Sequence, residues 1–208
     1  MAATPTFRSA PHRSARATAA ILTIDRGVYR VARHWLAYVN AWLLGFVGLA
    51  LLAPVLAANG FDGWARVIYA IHRPFCHQRD DRSFHVLGEK MACCQRCTAI
   101  YGGLFLFGLV YIALRGRLRP LPWRYLSLLS LPILLDGLTQ AAGLRESTWE
   151  LRVLTGGLFA IGAAWLLLPH LETGFADMRR QLEARFARLV AQNRARPLAG
   201  APPLPPAP

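Results

Sequence analysis

The sequence predicts an all-α membrane protein with four transmembrane helices. It adds an interfacial or re-entrant segment before the second span and a cytoplasmic amphipathic helix at the C-terminus. Three observations carry this prediction. The 208 residues are 54% hydrophobic, yet the formal charge is +13. Both can hold only where apolar residues gather into long runs with cations between them, and the chain is written that way. Four such runs, at about 35–58, 98–114, 125–144 and 153–171, are each near the roughly 20 residues that carry a helix across a hydrocarbon core. Aromatic residues mark the run ends: Trp35, Tyr38 and Trp42 at the first, Trp123 and Tyr125 at the third, Trp149 before the fourth. Such rings favour the membrane–water interface.

All but one of the 24 cations are arginines, Lys90 being the exception. A basic chain can bind nucleic acid, but only by presenting a basic face on a soluble fold. Here the cations flank apolar runs, so the lipid bilayer is the expected partner and nucleic acid is not. Nothing in the composition sets the oligomeric state, and a homo-oligomer is compatible with it.

Taken in order, residues 1–34 read as a basic N-terminal tail followed by an interfacial helix. The first 20 are rich in Ala, Arg, Ser and Thr without acids, which suits a disordered tail. Residues 21–34 alternate apolar and basic positions, as a helix lying on a membrane surface would. The membrane domain spans 35–171. Pro54 and Pro132 fall inside its runs, and membrane helices tolerate them there. Between the first two spans lies a loop, 59–97. Its segment 61–71 is too short to cross and returns the chain to the interface. Residues 172–196 place Phe175, Met178, Leu182, Phe186 and Leu189 at helical spacing among arginines, an amphipathic pattern for the cytoplasmic face. The Pro-rich stretch 197–208 lacks anything to build a core and is expected to be disordered.

Charge orients the spans. Arg8, Arg13, Arg16, Arg26, Arg30 and Arg33 precede the first. Arg115, Arg117, Arg119 and Arg124 separate the second from the third, and Arg179, Arg180, Arg185, Arg188, Arg194 and Arg196 follow the fourth. The positive-inside rule puts all three segments in the cytoplasm. Both termini are then inside and loop 59–97 is on the outer face of what is expected to be a prokaryotic plasma (inner) membrane.

That loop holds the chemistry. All four cysteines and three of the six histidines lie within 72–103. Cys94-x-x-Cys97 is a bidentate pair, and Cys76 with His77, His72 or His85 would complete a tetrahedral set suited to zinc. Arg79, Arg82 and Arg96 nearby favour the thiolate that a metal requires. The same cysteines allow a second chemistry. Four thiols in an oxidising compartment can pair as disulfides, and a Cys-x-x-Cys at a helix mouth is how a redox pair meets a membrane quinone.

Across the membrane domain, Asp136 and Gln140 share one face of the third span, four residues apart. An ionisable group inside a membrane helix is costly, so Asp136 should face the bundle interior with a partner: Arg145, Arg152, Arg82 or Arg96. Alternation of the spans brings this end of the third helix, with Ser147 and Thr148, to the same face as the cysteine loop. The glycine pairs Gly102-Gly103 and Gly156-Gly157 suit close helix packing.

Read together, Cys76-His77-Gln78, Arg82-Ser83-Phe84, Cys94-Gln95-Arg96-Cys97-Thr98-Ala99-Ile100-Tyr101 with Gly103, Asp136-Gly137 with Gln140, Arg145 with Ser147-Thr148, and Arg152 with Thr155-Gly156 form an ordered set. The set resembles the domain of unknown function 2085 family of prokaryotic membrane proteins over about residues 60–165. Two positions depart from the family pattern: Ala99 stands where glycine is usual, and Cys93 where an apolar residue is. The resemblance implies a shared site built on Cys76, Cys94, Cys97 and a histidine, with Cys93 a bystander, and it supplies no reaction.

The leading expectation is a zinc site formed by Cys76, His77, Cys94 and Cys97 on the outer face. It adjoins a small-molecule pocket whose candidate residues are Asp136, Gln140, Arg145, Ser147, Arg152 and Arg82. Two alternatives belong to other classes: a thiol–disulfide oxidoreductase coupled to quinone, and a transporter whose coupling ion rides on Asp136.

Overall fold

A computed structural model describes residues 15–201. Of the described residues, 75% are helical. In chain order it comprises α1 (Ala15–Ala58), α2 (Asp62–His72), a 3₁₀ turn (Asp80–Arg82), β1 (Ser83–Val86), β2 (Glu89–Cys94), α3 (Gln95–Leu114), α4 (Trp123–Ala141) and α5 (Trp149–Ala191). The chain forms two compact units, one of residues 35–174 and one of 15–34 with 175–201.

Among the described residues, three helices, α1, α3 and α5, are long and apolar enough to cross a membrane. In the larger unit, Leu106, Leu109, Val110 and Ile112 of α3 are exposed, as are Leu128, Leu131, Leu134, Leu135 and Leu138 of α4. Hydrocarbon, not water, is the surrounding that such surfaces suit. The third expected run is also a helix, α4, but Arg124, Pro132, Asp136, Thr139 and Gln140 interrupt its apolar surface. It stops three residues before the expected limit. Gly143 adopts φ +70°, the Leu144 amide donates to the Thr139 carbonyl (3.0 Å), and the Gly143 amide donates to that of Gln140 (3.1 Å). This paired reversal closes a helix at a glycine and turns the chain back toward the bundle.

The sequence reading missed one element, a β-hairpin inside the cysteine loop. β1 and β2 pair antiparallel with Val86 opposite Glu89. The two-residue turn between them puts Leu87 at φ +54° and Gly88 at φ +84°, the mirror-image geometry that matches strand twist. A leucine at the first turn position gives little warning of such a turn. Tyr69 of α2 donates its hydroxyl to the Lys90 carbonyl, and Lys90 Nζ donates to the Gln78 carbonyl at 3.2 Å, so the hairpin is tied to α2.

Against α1 the loop packs through a core of Phe46, Ala50, Ala53, Ile68, Cys76, Ala92, Cys93 and Cys94. At the other end of the unit, Glu172 accepts hydrogen bonds from Trp35 Nε1 (2.9 Å) and Arg115 Nε (2.9 Å). The start of the first expected span therefore meets the ends of the second and fourth. α3 and α5 touch through glycine. A Cβ at Gly156 would lie 2.9 Å from the Arg96 carbonyl oxygen, and one at Gly103 would lie 2.7 Å from Ala160 Cβ. Gly102 and Gly157 have open space around them, so only one glycine of each pair serves the packing.

In the smaller unit, Tyr29, Phe186 and Leu198 form a buried cluster. Tyr29 donates its hydroxyl to Glu183 (2.8 Å), Asp25 pairs with Arg185 (2.7 Å), and Arg26 lies over the Phe186 ring. The amphipathic face at 172–196 thus finds its partner in the chain's own N-terminal helical segment. Two expectations are corrected here. Residues 15–20 belong to α1 rather than to a tail, and 197–201 are held, with Leu198 buried and the Ala199 carbonyl accepting from Arg33 Nη1 at 3.1 Å. The disorder expected for 1–14 and 202–208 lies outside the described residues.

The glycine contacts yield a paired prediction. Gly156→Ala forces a methyl onto the Arg96 backbone and should cost about 1–3 kcal/mol as overpacking. Gly157→Ala, one residue on, should leave thermal unfolding in detergent unchanged.

Candidate functional site

The first turn of α3 positions the site. β2 ends at Cys94, whose extended backbone (φ −70°, ψ 162°) makes it the N-cap residue, and Gln95, Arg96 and Cys97 follow as the first three helical residues. One helical turn returns Cys97 to the side of Cys94. Cys76 reaches them from the other direction. The end of α2 closes with the Cys76 amide donating to the His72 carbonyl (3.0 Å), and the Cys94 amide then donates to Cys76 Sγ (3.1 Å). The sulfurs of Cys76, Cys94 and Cys97 all lie within 4.8 Å of one another, and Cys76 and Cys94 are buried. All four cysteines are free thiols.

Sulfurs bound to one tetrahedral zinc at about 2.3 Å stand about 3.8 Å apart, so this trio needs only a small contraction to close on an ion. The electrostatics favour charge on one of them. The Cys76 thiol is held well below the ordinary range, first by hydrogen bonds from Cys93 and then from Cys94 and Cys97. The same bond to Cys76, together with burial, pushes the Cys93 and Cys94 thiols up. A single thiolate solvated by neighbouring thiols is the arrangement a soft cation would replace.

Among the described residues, no histidine joins the trio. His77 is exposed, and its Nδ1 accepts the Arg79 amide at 3.1 Å. His85 is exposed beside Asp80 (3.3 Å). His72 is fully buried, with Nδ1 2.8 Å from the Ile68 carbonyl and Nε2 3.0 Å from that of Phe46. The cause lies at Gln78, where a φ of +53° turns the chain away after Cys76-His77, and Gln78 Nε2 fixes that turn on the Tyr69 carbonyl at 2.7 Å. Cys93, expected as a bystander, is buried against α1 and hydrogen-bonds Cys76 while standing outside the group of three.

The two residues between Cys94 and Cys97 build the second half of the site. Arg96 Nη2 donates to Asp136 Oδ2, which also accepts the Ser147 hydroxyl at 2.9 Å. Arg145 Nη2 donates to Oδ1 at 2.7 Å, and its Nε donates to Thr139 Oγ1 at 3.1 Å. Asp136 itself is 1% exposed. Gln95 accepts from Arg152 Nη1 at 2.9 Å and donates to the Ser83 carbonyl at 3.4 Å, linking α5 to the hairpin. Of the partners expected for Asp136, then, Arg96 and Arg145 serve. Arg152 turns to Gln95, and Arg82 lies 3.5 Å from Asp81. Gln140 is half-buried, and its Nε2 has no hydrogen-bond partner. Gln95 and Ser83 were missed by sequence reasoning, although both sit inside the motifs that drew notice to their neighbours.

Comparison with known proteins gives the chain's relatives. Residues 76–166 match the family described as "Predicted membrane protein (DUF2085)". An uncharacterized protein of Methanocaldococcus jannaschii is 34% identical over 146 residues, covering 66% of this chain and 92% of the relative. One of Methanothermobacter thermautotrophicus is 37% identical over 101 residues, covering 48% and 91%. No solved structure matches the chain.

Burial of Asp136 generates a test. Asp136→Asn leaves Arg96 and Arg145 facing a neutral amide, and removing one partner of a buried charge group costs about 3–5 kcal/mol. Chemical unfolding in detergent should show that loss, whereas Gln140→Ala, which breaks no bond, should be near neutral.

Proposed function

The chain belongs to the DUF2085 membrane-protein family, and on that footing we propose that it is a four-span membrane protein carrying a zinc-type metal centre on its outer face. Cys76, Cys94 and Cys97 are the ligands. The observation that carries this reading is the convergence of three sulfurs from two distant chain segments onto one helix N-terminus. His77, expected as the fourth ligand, stays outside. Three protein ligands leave one tetrahedral position for a water or a small molecule, as at sites where zinc acts on something bound to it. A zinc ion there would supply Lewis acidity. The chain's own residues do the rest: Cys94 and Cys97 anchor the ion to α3, Cys76 anchors loop 59–97, and Arg96, one residue from Cys97, joins the centre to the Asp136 cluster.

Membrane orientation in this reading follows the arginine-rich segments. It draws support from the meeting of Trp35, Arg115 and Glu172 at one end of the larger unit, opposite the cysteines. α4 is taken as the third span despite its polar positions, because its exposed leucines need lipid and its one carboxylate is fully partnered. A transporter reading is disfavoured for the same reason: both oxygens of Asp136 are engaged by guanidinium or hydroxyl donors, leaving little for a coupling ion.

Metal content with thiol counting tests the centre. Protein purified under reducing conditions should hold one zinc per chain and release it, with three thiols, to a chelator. Cys94→Ser or Cys97→Ser should abolish binding, and His77→Ala should retain it. A metal-free protein with an electron-accepting Cys94–Cys97 disulfide would instead establish the quinone-linked redox chemistry. Orientation has its own measurement. A membrane-impermeant thiol reagent added to intact cells after chelation should label Cys97, and labelling only in inverted vesicles would reverse the assignment.

A further inference from the structure

We propose that the guanidinium groups of Arg96, Arg145 and Arg152 bind an oxyanion, the phosphate of a lipid headgroup or of a soluble ligand. This goes beyond the metal centre and does not depend on it, since no sulfur takes part. Arg96 and Arg145 meet on Asp136, and Arg152 bonds Gln95, the residue before Arg96. Gly156, one turn beyond Arg152 on α5, packs against the Arg96 backbone. Arg96 and Arg145 therefore share one carboxylate, and Arg152 is paired with none. Among the described residues, Asp136 is the one carboxylate that ion-pairs with any of them.

Arg152 is the decisive residue. It is 7% exposed, and among the described residues its charge meets only the neutral amide oxygen of Gln95 and its buried Nε–H has no partner. The Nε–H of Arg96 is likewise buried and unpartnered. A buried guanidinium without a counter-charge is strongly unfavourable, and an unmade bond to each Nε–H adds to that cost. An oxyanion answers it on every count. It brings negative charge, several acceptors, and the planar bidentate geometry that arginine prefers. Arg96 lies in the first turn of α3 and Arg152 in the first turn of α5, and Arg145, in the connection between α4 and α5, is exposed.

Thermal unfolding of the full chain tests this with two probes. In neutral detergent, inorganic phosphate is titrated against chloride at constant ionic strength. Separately, the protein is placed in phosphatidylcholine nanodiscs with or without phosphatidylglycerol. Saturating binding should raise the midpoint by about 5 °C in at least one arm. Phosphate alone sufficing identifies a soluble anion, and a response only to phosphatidylglycerol identifies a headgroup. Arg152→Gln should lose the response, and Arg117→Gln, in the loop between α3 and α4, should keep it. Should Arg152→Gln fail to fold, Gln95→Glu decides. It places a carboxylate beside Arg152, so it should be at least as stable as the parent without phosphate and should respond to neither probe. A parent that responds to neither probe, or a Gln95→Glu protein that responds as the parent does, overturns the proposal.

Discussion

The Asp136 carboxylate is the constraint on which the larger unit depends. An isolated charge in a membrane helix is expensive, and only dense hydrogen bonding makes it tolerable. Arg96, Arg145 and Ser147 provide that bonding from three different elements: the first turn of α3, the chain after α4, and the entry to α5. Satisfying one carboxylate therefore fixes where three helices begin or end. The glycine contact at Gly156 falls on the same turn of α3, since a Cβ there would lie 2.9 Å from the Arg96 carbonyl oxygen.

The same turn of α3 faces two ways. Cys94 and Cys97 point to the sulfur cluster, while Gln95 and Arg96 point to α4 and α5. A helix has room for this because neighbours one and two positions apart project in different directions, and residues three apart share a face. Whatever changes the charge at the sulfurs is thus one residue away from the guanidinium groups. A dication held by the thiolates would alter the field at Arg96, and an anion bound at Arg96 would alter the field at the sulfurs. The two halves are electrostatically linked through four consecutive residues.

Much of this was legible before any coordinates. Apolar runs marked the helices, since their pattern needs only composition and length. Cys94-x-x-Cys97 and the isolated Asp136 declared themselves because sulfur pairs and membrane carboxylates are chemically conspicuous. Three things were hidden. The hairpin at 83–94 uses Leu87 rather than an asparagine at its turn, so the usual sign was missing. Exclusion of His77 depends on the positive φ of Gln78, a backbone choice that spacing does not reveal. The role of Gln95 depends on which side of α3 meets Arg152, and periodicity cannot decide that for a helix apolar nearly all round. In the smaller unit, the amphipathic pattern at 172–196 showed that a partner was needed, but its identity as the chain's own residues 15–34 is a long-range fact.

X-ray absorption at the zinc K-edge of the purified protein measures the central claim directly. The proposed centre predicts three sulfur neighbours at about 2.3 Å and one lighter neighbour, with no imidazole back-scattering. Fewer than three sulfurs, an imidazole signature from His77, or absence of bound zinc in protein prepared with it would contradict the three-cysteine centre.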